Sequence, residues 1–258
     1  MSHVELNASV PHSARIYDYL LGGKDNYLVD QAVGEKLPPE SKPAARQNRA
    51  FMRRAVDWVV RQGIDQFLDI GTGIPTEPNL HQIVQKVNPA SRIVYADNDP
   101  IVLRHAEALL ISTPEGVTDY IQADVREPEA ILEHARTVLD FGRPVALSLI
   151  ALMHFLPDDQ NPYDITRVLV DALPSGSYLL LSHGTHDFHP EHLLGQVLNA
   201  YKNGAMELRF RDRAEVERFF EGLDMVPPGL VTAPRWYQDG SAPEDEQSGI
   251  YVGVARVR

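Results

Sequence analysis

Three aspartates pose the chemical question. Asp69 sits in the stretch "LDIGTGIP", residues 68–75, at the end of an apolar run and just ahead of Gly71, Thr72 and Gly73. The two glycines permit a tight turn and let backbone approach a ligand closely. A dinucleotide fingerprint needs a third glycine at position 76, which is Thr76 here, and Pro75 precedes it. A carboxylate ahead of the first glycine would also repel a pyrophosphate, whereas it suits a cationic group. Asp97 closes a second apolar run, "RIVYAD", and offers two acceptor oxygens to the two hydroxyls of a ribose. Asp99, followed by Pro100, reads instead as a helix cap with proline in the first turn. Asp124 closes a third run, "TDYIQAD", and can accept from an exocyclic amine. Each acid alone has an ordinary reading as a cap or a strand-to-loop transition. Together they place carboxylates at the ends of three successive strands, where parallel sheets bind ligands.

Histidines form a second set. His154, in "ALMHFLPD" just past a fourth apolar run, is the candidate general base, with a packing or hydrogen-bonding role as its equal alternative. The segment "SHGTHDFHPEH", residues 182–192, holds His183, His186, Asp187, His189 and His192. These are metal-ligand types, but no H-E-x-x-H pair is present, so a polar loop and no metal site is the expectation.

The stretch "DYLLGGKDNY", residues 18–27, imitates the end of a phosphate-binding loop. Asp25 stands where serine or threonine should follow the lysine, Asp18 where the first glycine should be, and the pattern ahead is helical rather than a strand. It reads as a hinge between two helices that gathers Tyr17, Asp18, Lys24, Asn26 and Tyr27 over a site. Tyr17 and Asp18 are then further catalytic candidates.

These groups need elements to hold them. Short helices are expected over 13–21 and 25–37, the second capped by Asp25, and a longer one over 44–61 after Pro38, Pro39 and Pro43. From residue 66 the texture alternates. Strands "QFLDIG", "RIVYAD", "TDYIQAD", "PVALSLI" and "SYLLLSH" are separated by helices near 76–87, 98–111, 127–138 and 160–173. Helices near 190–202 and 212–221 lead to "LDMVPPGLVTAP" and "SGIYVGVARV", an antiparallel pair joined by the acidic loop "QDGSAPEDEQSG". The expected fold is α/β: a doubly wound, Rossmann-like sheet over residues 66–258, with residues 1–65 as a helical cap of the same domain.

Composition narrows the partner. The 258 residues carry 36 acids and 24 bases, a formal charge of −12, which disfavours nucleic acid and anionic membrane surfaces. The densest basic segment, "ARQNRAFMRRAV", has helical spacing and is expected to be a solvated helix face. No apolar run is long enough to span a bilayer, residues 1–20 show no basic stretch followed by an apolar core, so no secretion signal is expected, and cysteine is absent. A cytoplasmic protein with a small-molecule partner is expected, its oligomeric state left open with a homodimer as one option.

The joint pattern resembles the class I S-adenosylmethionine-dependent methyltransferases, in which a D-x-G-x-G loop follows strand one and acids follow strands two and three. "ARIYDYLLGGKDNY", "NRAFMRRAV", "QFLDIGTGIPT", "YADNDP" and "MHFLPD" together look like a chiefly actinobacterial subfamily of unassigned substrate. The resemblance implies a seven-stranded sheet and S-adenosyl-L-methionine as cofactor. It puts Asp69, Gly71, Thr72 and Gly73 at the methionine moiety and Asp97 at the ribose. Asn98, Asp124 and Val125 would lie at the adenine, and Ser148 and the residues after it would run past the sulfonium. Lys24, Asn26 and Tyr27 would close over cofactor or acceptor. The competing readings are a non-catalytic cofactor sensor, since no N-P-P-Y follows strand four, and a nicotinamide-dependent oxidoreductase, which the missing glycine disfavours.

Overall fold

Apolar runs of five to seven residues become strands, the central ones buried on both faces, and the stretches between them become the helices that bury them. The computed structural model describes residues 9–109, 111–237 and 248–258. Residues 1–8 of the expected cap and 238–247 of the acidic loop lie outside the described residues. The chain opens with three helices, α1 (Ser13–Leu21), α2 (Leu28–Gly34) and α3 (Ser41–Arg61). Alternation follows: β1 (Gln66–Ile70), α4 (Leu80–Val87), β2 (Arg92–Asp97), α5 (Pro100–Leu109), β3 (Val117–Gln122), α6 (Pro128–Ala135), β4 (Ala146–Ile150), α7 (Pro162–Asp171) and β5 (Tyr178–Gly184). The last part holds α8 (Glu191–Asn203), α9 (Arg213–Glu217), β6 (Asp224–Met225), β7 (Val231–Thr232) and β8 (Ile250–Arg256).

The sheet order is β3-β2-β1-β4-β5-β8-β6, with β7 also on β8. Strands β1 to β5 are parallel, and β8 runs antiparallel to β5. The chain winds outward from β1 to β3, then returns to the other side of β1 as β4. The crevice at the carboxyl ends of β1 and β4 is therefore the switch point where ligands bind in such sheets. Leu68, Leu147 and Leu179 pack on one face against α6 and α7. Phe67, Ala146 and Leu180 pack on the other against α3 and α4. Two faces buried in this way explain why the strands read as near-continuous apolar runs. The expected seven strands become eight. The strand expected over 223–234 is interrupted at Pro227 and Pro228, which lack the N–H a ladder needs, and its two remnants pair separately with β8.

Two local differences have plain causes. Helix α3 begins at Ser41 rather than 44, because Pro43 falls in its first turn, where no backbone donor is required. Helix α2 begins at Leu28 rather than 25, because the Asp18 carboxylate takes the Asp25 N–H at 2.9 Å and holds that residue in the turn. Asp30, not Asp25, then caps the helix by accepting from the Tyr27 N–H at 2.9 Å.

The basic segment on α3 is only in part the expected solvated face: Arg46 and Arg53 are exposed, while Arg49 and Arg54 are partly buried. Arg49 donates to the carbonyls of Thr76 and Pro78, Arg53 to that of Glu77, and Arg54 to those of Ala233 and Trp236. Guanidinium forks satisfy backbone oxygens that these irregular connections cannot pair among themselves. The cap is fastened to the sheet domain by charge. Buried Arg15 lies 3.3 Å from Asp30 on α2 and 3.3 Å from Asp99 ahead of α5, with His12 also 3.3 Å from Asp99. Among the described residues no helix is long and apolar enough to cross a membrane.

Candidate functional site

The turn after β1 folds back across the end of β2. The N–H groups of Gly71 and Thr72 both donate to the Ala96 carbonyl, at 2.8 and 3.3 Å. Gly71 has φ +75°, and a β-carbon there would also stand 2.8 Å from Leu152 Cδ1. The left-handed backbone favours glycine, and any side chain would also have to displace Leu152. Gly73 N–H donates to Asp97 Oδ2 at 2.8 Å, and Asp99 N–H to Asp97 Oδ1 at 2.9 Å. Asp97 is thus held by backbone through one lone pair on each oxygen, and the others stay available to a ligand diol. Asp99 caps α5 through the Ile101 N–H at 2.8 Å, as its neighbour Pro100 suggested.

A cavity of about 250 Å³ opens over these strand ends. Asp69, Gly71, Thr72, Gly73, Asp97, Asn98, Val125, His154 and Tyr17 all line it. Asp18, Lys24, Asn26, Tyr27, Asp124 and Ser148 do not. Asp69 is partly exposed to the cavity and is paired in register with Ser148 on β4. Burial pushes its carboxyl up to about 6, while the Ser148 hydroxyl and the Arg49 guanidinium favour the charged form. Burial also raises Asp97, against the two N–H donors it accepts. Ser148 is fully buried, so it acts beside Asp69 rather than on a ligand. Asp124 is occupied by Arg126 Nε at 2.9 Å and Asn98 Nδ2 at 3.3 Å, and the Arg126 bonds hold its carboxyl down at about 2. The wall at this point is formed by Ala123 and Val125 instead.

The two glycines of the N-terminal turn serve different needs. Gly22 is the left-handed residue that ends α1, with φ +83°. At Gly23 a β-carbon would overlap the Asp18 carboxylate. That carboxylate, 4% exposed, accepts from the Asp25 N–H and from Asn26 Nδ2 at 2.7 Å. Asp18 and Asn26 therefore build the turn, and Lys24 and Tyr27 stand outside the cavity. Tyr17 does face it, with its hydroxyl donating to the Ala45 carbonyl at 3.0 Å and accepting from Asn48 Nδ2 at 2.9 Å. Burial raises its pKa, so the phenol stays neutral.

His154 is placed at the cavity but poorly equipped as a base. Burial, with Arg211 nearby, drives its pKa down to about 3. The Gly184 N–H points at its Nδ1 from 3.3 Å, a pairing that assigns the ring proton to Nε2 and makes that nitrogen a donor. His183, from the histidine-rich segment, is fully buried with Nδ1 at 2.7 Å from the Gly184 carbonyl and Nε2 at 2.8 Å from Arg211 Nη1. Arg211, itself fully buried, also donates to the Met153 and Leu156 carbonyls and to Asp158. It pins the loop that carries His154 and Phe155.

Sequence reasoning missed Arg49 and the α8 wall. Arg49 lies on the α3 stripe that includes Ala45, Asn48 and Met52, at i, i+3, i+4 and i+7, and all four line the cavity. That spacing was the available signal, outweighed by the density of arginines around it. Leu194, Val197 and Tyr201 of α8 complete the wall opposite the cap.

Comparison with known proteins bears on the fold and the family. A DUF574 family protein from Streptomyces avermitilis is 46% identical, with a TM-score of 0.93 over 98% of this chain and 100% of that one. A Thermobifida fusca structure assigned as a methyltransferase is 36% identical, with a TM-score of 0.89 over 98% and 97%. A SAM-dependent methyltransferase from Anabaena variabilis shares the fold, with a TM-score of 0.54 over 80% and 84% at 15% identity. No protein of curated function matches the chain. Residues 1–258 match the S-adenosyl methyltransferase family, and the chain belongs to it as a methyltransferase that uses S-adenosylmethionine.

Proposed function

We propose that the protein transfers the methyl group of S-adenosylmethionine to a small molecule held between the strand ends and the helical cap. One observation carries this reading: the glycine turn, Asp69 and Asp97 line a single cavity that continues under α1, α3 and α8. The residues fit the cofactor. Asp69 offers a carboxylate to its ammonium, and Arg49, whose buried Nε has no hydrogen-bond partner, offers a cation to its carboxylate. Asp97 has lone pairs left for the ribose hydroxyls, with Asn98, Ala123 and Val125 lining the cavity beyond it.

When bound, S-adenosylmethionine supplies a methyl group already activated on a sulfonium. The chain's own tasks are then to orient the acceptor and exclude water. Leu152 and Phe155, on the loop pinned by Arg211, wall the cavity from β4. Tyr17, fixed by Asn48 and Ala45, closes it from the cap. His154 serves as a neutral hydrogen-bond donor, with its Nδ1 already accepting from Gly184.

The test is calorimetric titration of S-adenosylhomocysteine into wild type and Asp97→Ala. Loss of two charge-assisted hydrogen bonds should weaken binding at least about tenfold. Equal affinities in a variant with unchanged circular dichroism would overturn the ribose assignment.

A further inference from the structure

The two ends of the cavity differ in chemistry. At the strand ends stand Arg49, Asp69 and Asp97. The other charged side chain of the lining, Glu40, is solvent-exposed. The far end is built by Leu20, Leu37, Phe155, Val197 and Tyr201, which belong to a separate apolar cluster joining the cap to α8, together with Leu194 of α8. Its wall is ringed by aromatics. Phe155 packs 4.5 Å from the His154 ring and 5.7 Å from Tyr201. Burial keeps the His154 ring uncharged and the Tyr201 phenol protonated. An anionic ligand group placed here would lose its hydration without meeting a lysine or arginine, and a cationic one would meet only Glu40, which water already solvates. A flat ring would instead find edges and faces at stacking distance.

We propose that this lobe binds the methyl acceptor, and that the acceptor is an uncharged aromatic compound. The inference rests on the methyl-transfer reading and adds the substrate class. Specificity then comes from a pocket shared between the N-terminal cap and α8, elements that the sheet itself does not need.

Two dyes that differ by one charge test it. N-phenyl-1-naphthylamine is an uncharged aromatic amine, and 8-anilino-1-naphthalenesulfonate carries the same rings with a sulfonate. Fluorescence titration is done with and without S-adenosylhomocysteine, on wild type and on Val197→Trp, whose indole fills the lobe from a partly exposed helix position. Calorimetry of S-adenosylhomocysteine runs in parallel. The expected result is saturable, one-to-one binding of the neutral dye and at least about tenfold weaker binding of the sulfonate. Val197→Trp should lose the neutral dye and keep wild-type affinity for S-adenosylhomocysteine. Equal or tighter binding of the sulfonate, no saturable binding of the neutral dye, or binding indifferent to Val197→Trp overturns the lobe assignment. Should Val197→Trp lose S-adenosylhomocysteine as well, the same comparison is made with Leu194→Trp, and loss in both overturns the separation of lobe from cofactor. Failure of wild type to bind S-adenosylhomocysteine overturns the cofactor reading, and with it the acceptor role, whatever the dyes do.

Discussion

Asp69 makes cofactor affinity a function of pH within an accessible range. Its carboxyl lies at about 6 in the free protein because burial outweighs the help of Ser148 and Arg49. Only the carboxylate form attracts an ammonium, and the ammonium of S-adenosylhomocysteine is protonated throughout the window considered. Apparent dissociation constants therefore scale as one plus ten to the power of pKa minus pH. That factor is about 1.1 at pH 7 and about 11 at pH 5, so affinity should fall roughly tenfold between them. Asp97, also raised by burial, adds to the slope, and Asp69→Asn isolates the Asp69 share. The share of the free protein's stability that Asp69 controls should move oppositely. A carboxyl raised from 3.8 in the unfolded chain to about 6 binds more protons when folded. Its stabilising share is thus complete below about 4 and lost as pH rises through about 6. Calorimetry at pH 5, 6 and 7 reads the affinity, and the difference between thermal melts of free wild type and free Asp69→Asn reads the second trend. Flat wild-type affinity, or an identical slope in Asp69→Asn, would refute the placement of Asp69 against a cation.

Three substitutions test the supports of the site. Gly23→Ala should cost about 2–3 kcal/mol in denaturant unfolding, because the new methyl displaces the Asp18 carboxylate from its two bonds. Gly22→Ala should cost about 1–2 kcal/mol from its left-handed backbone, and a Gly23→Ala variant within 0.5 kcal/mol of wild type on the same scale speaks against this packing. Arg211→Met should cost about 3 kcal/mol by stranding the Met153 and Leu156 carbonyls and His183. It should also reduce neutral-dye binding, since Phe155 loses its anchor, and a stable variant with wild-type dye affinity would argue against the pinning role.

Local pattern was enough for much of this protein. Strand positions followed from apolar run length, helix placement from 3.6-residue spacing, and the ligand edge of the sheet from Asp69, Gly71, Gly73 and Asp97 standing after successive runs. These features are legible because each depends on residues adjacent in the chain. Partnership across the fold was not. Asp124 stands where a ligand acid should, yet Arg126 and Asn98 occupy it. His154 sits at the site, yet burial and the nearby Arg211 remove its basicity, and the Gly184 N–H takes up its Nδ1. Arg49 looked solvated, yet α3 turns it into the cavity. Charge state and hydrogen-bond occupancy depend on what distant segments bring within a few ångströms, and only the packed tertiary structure decides that.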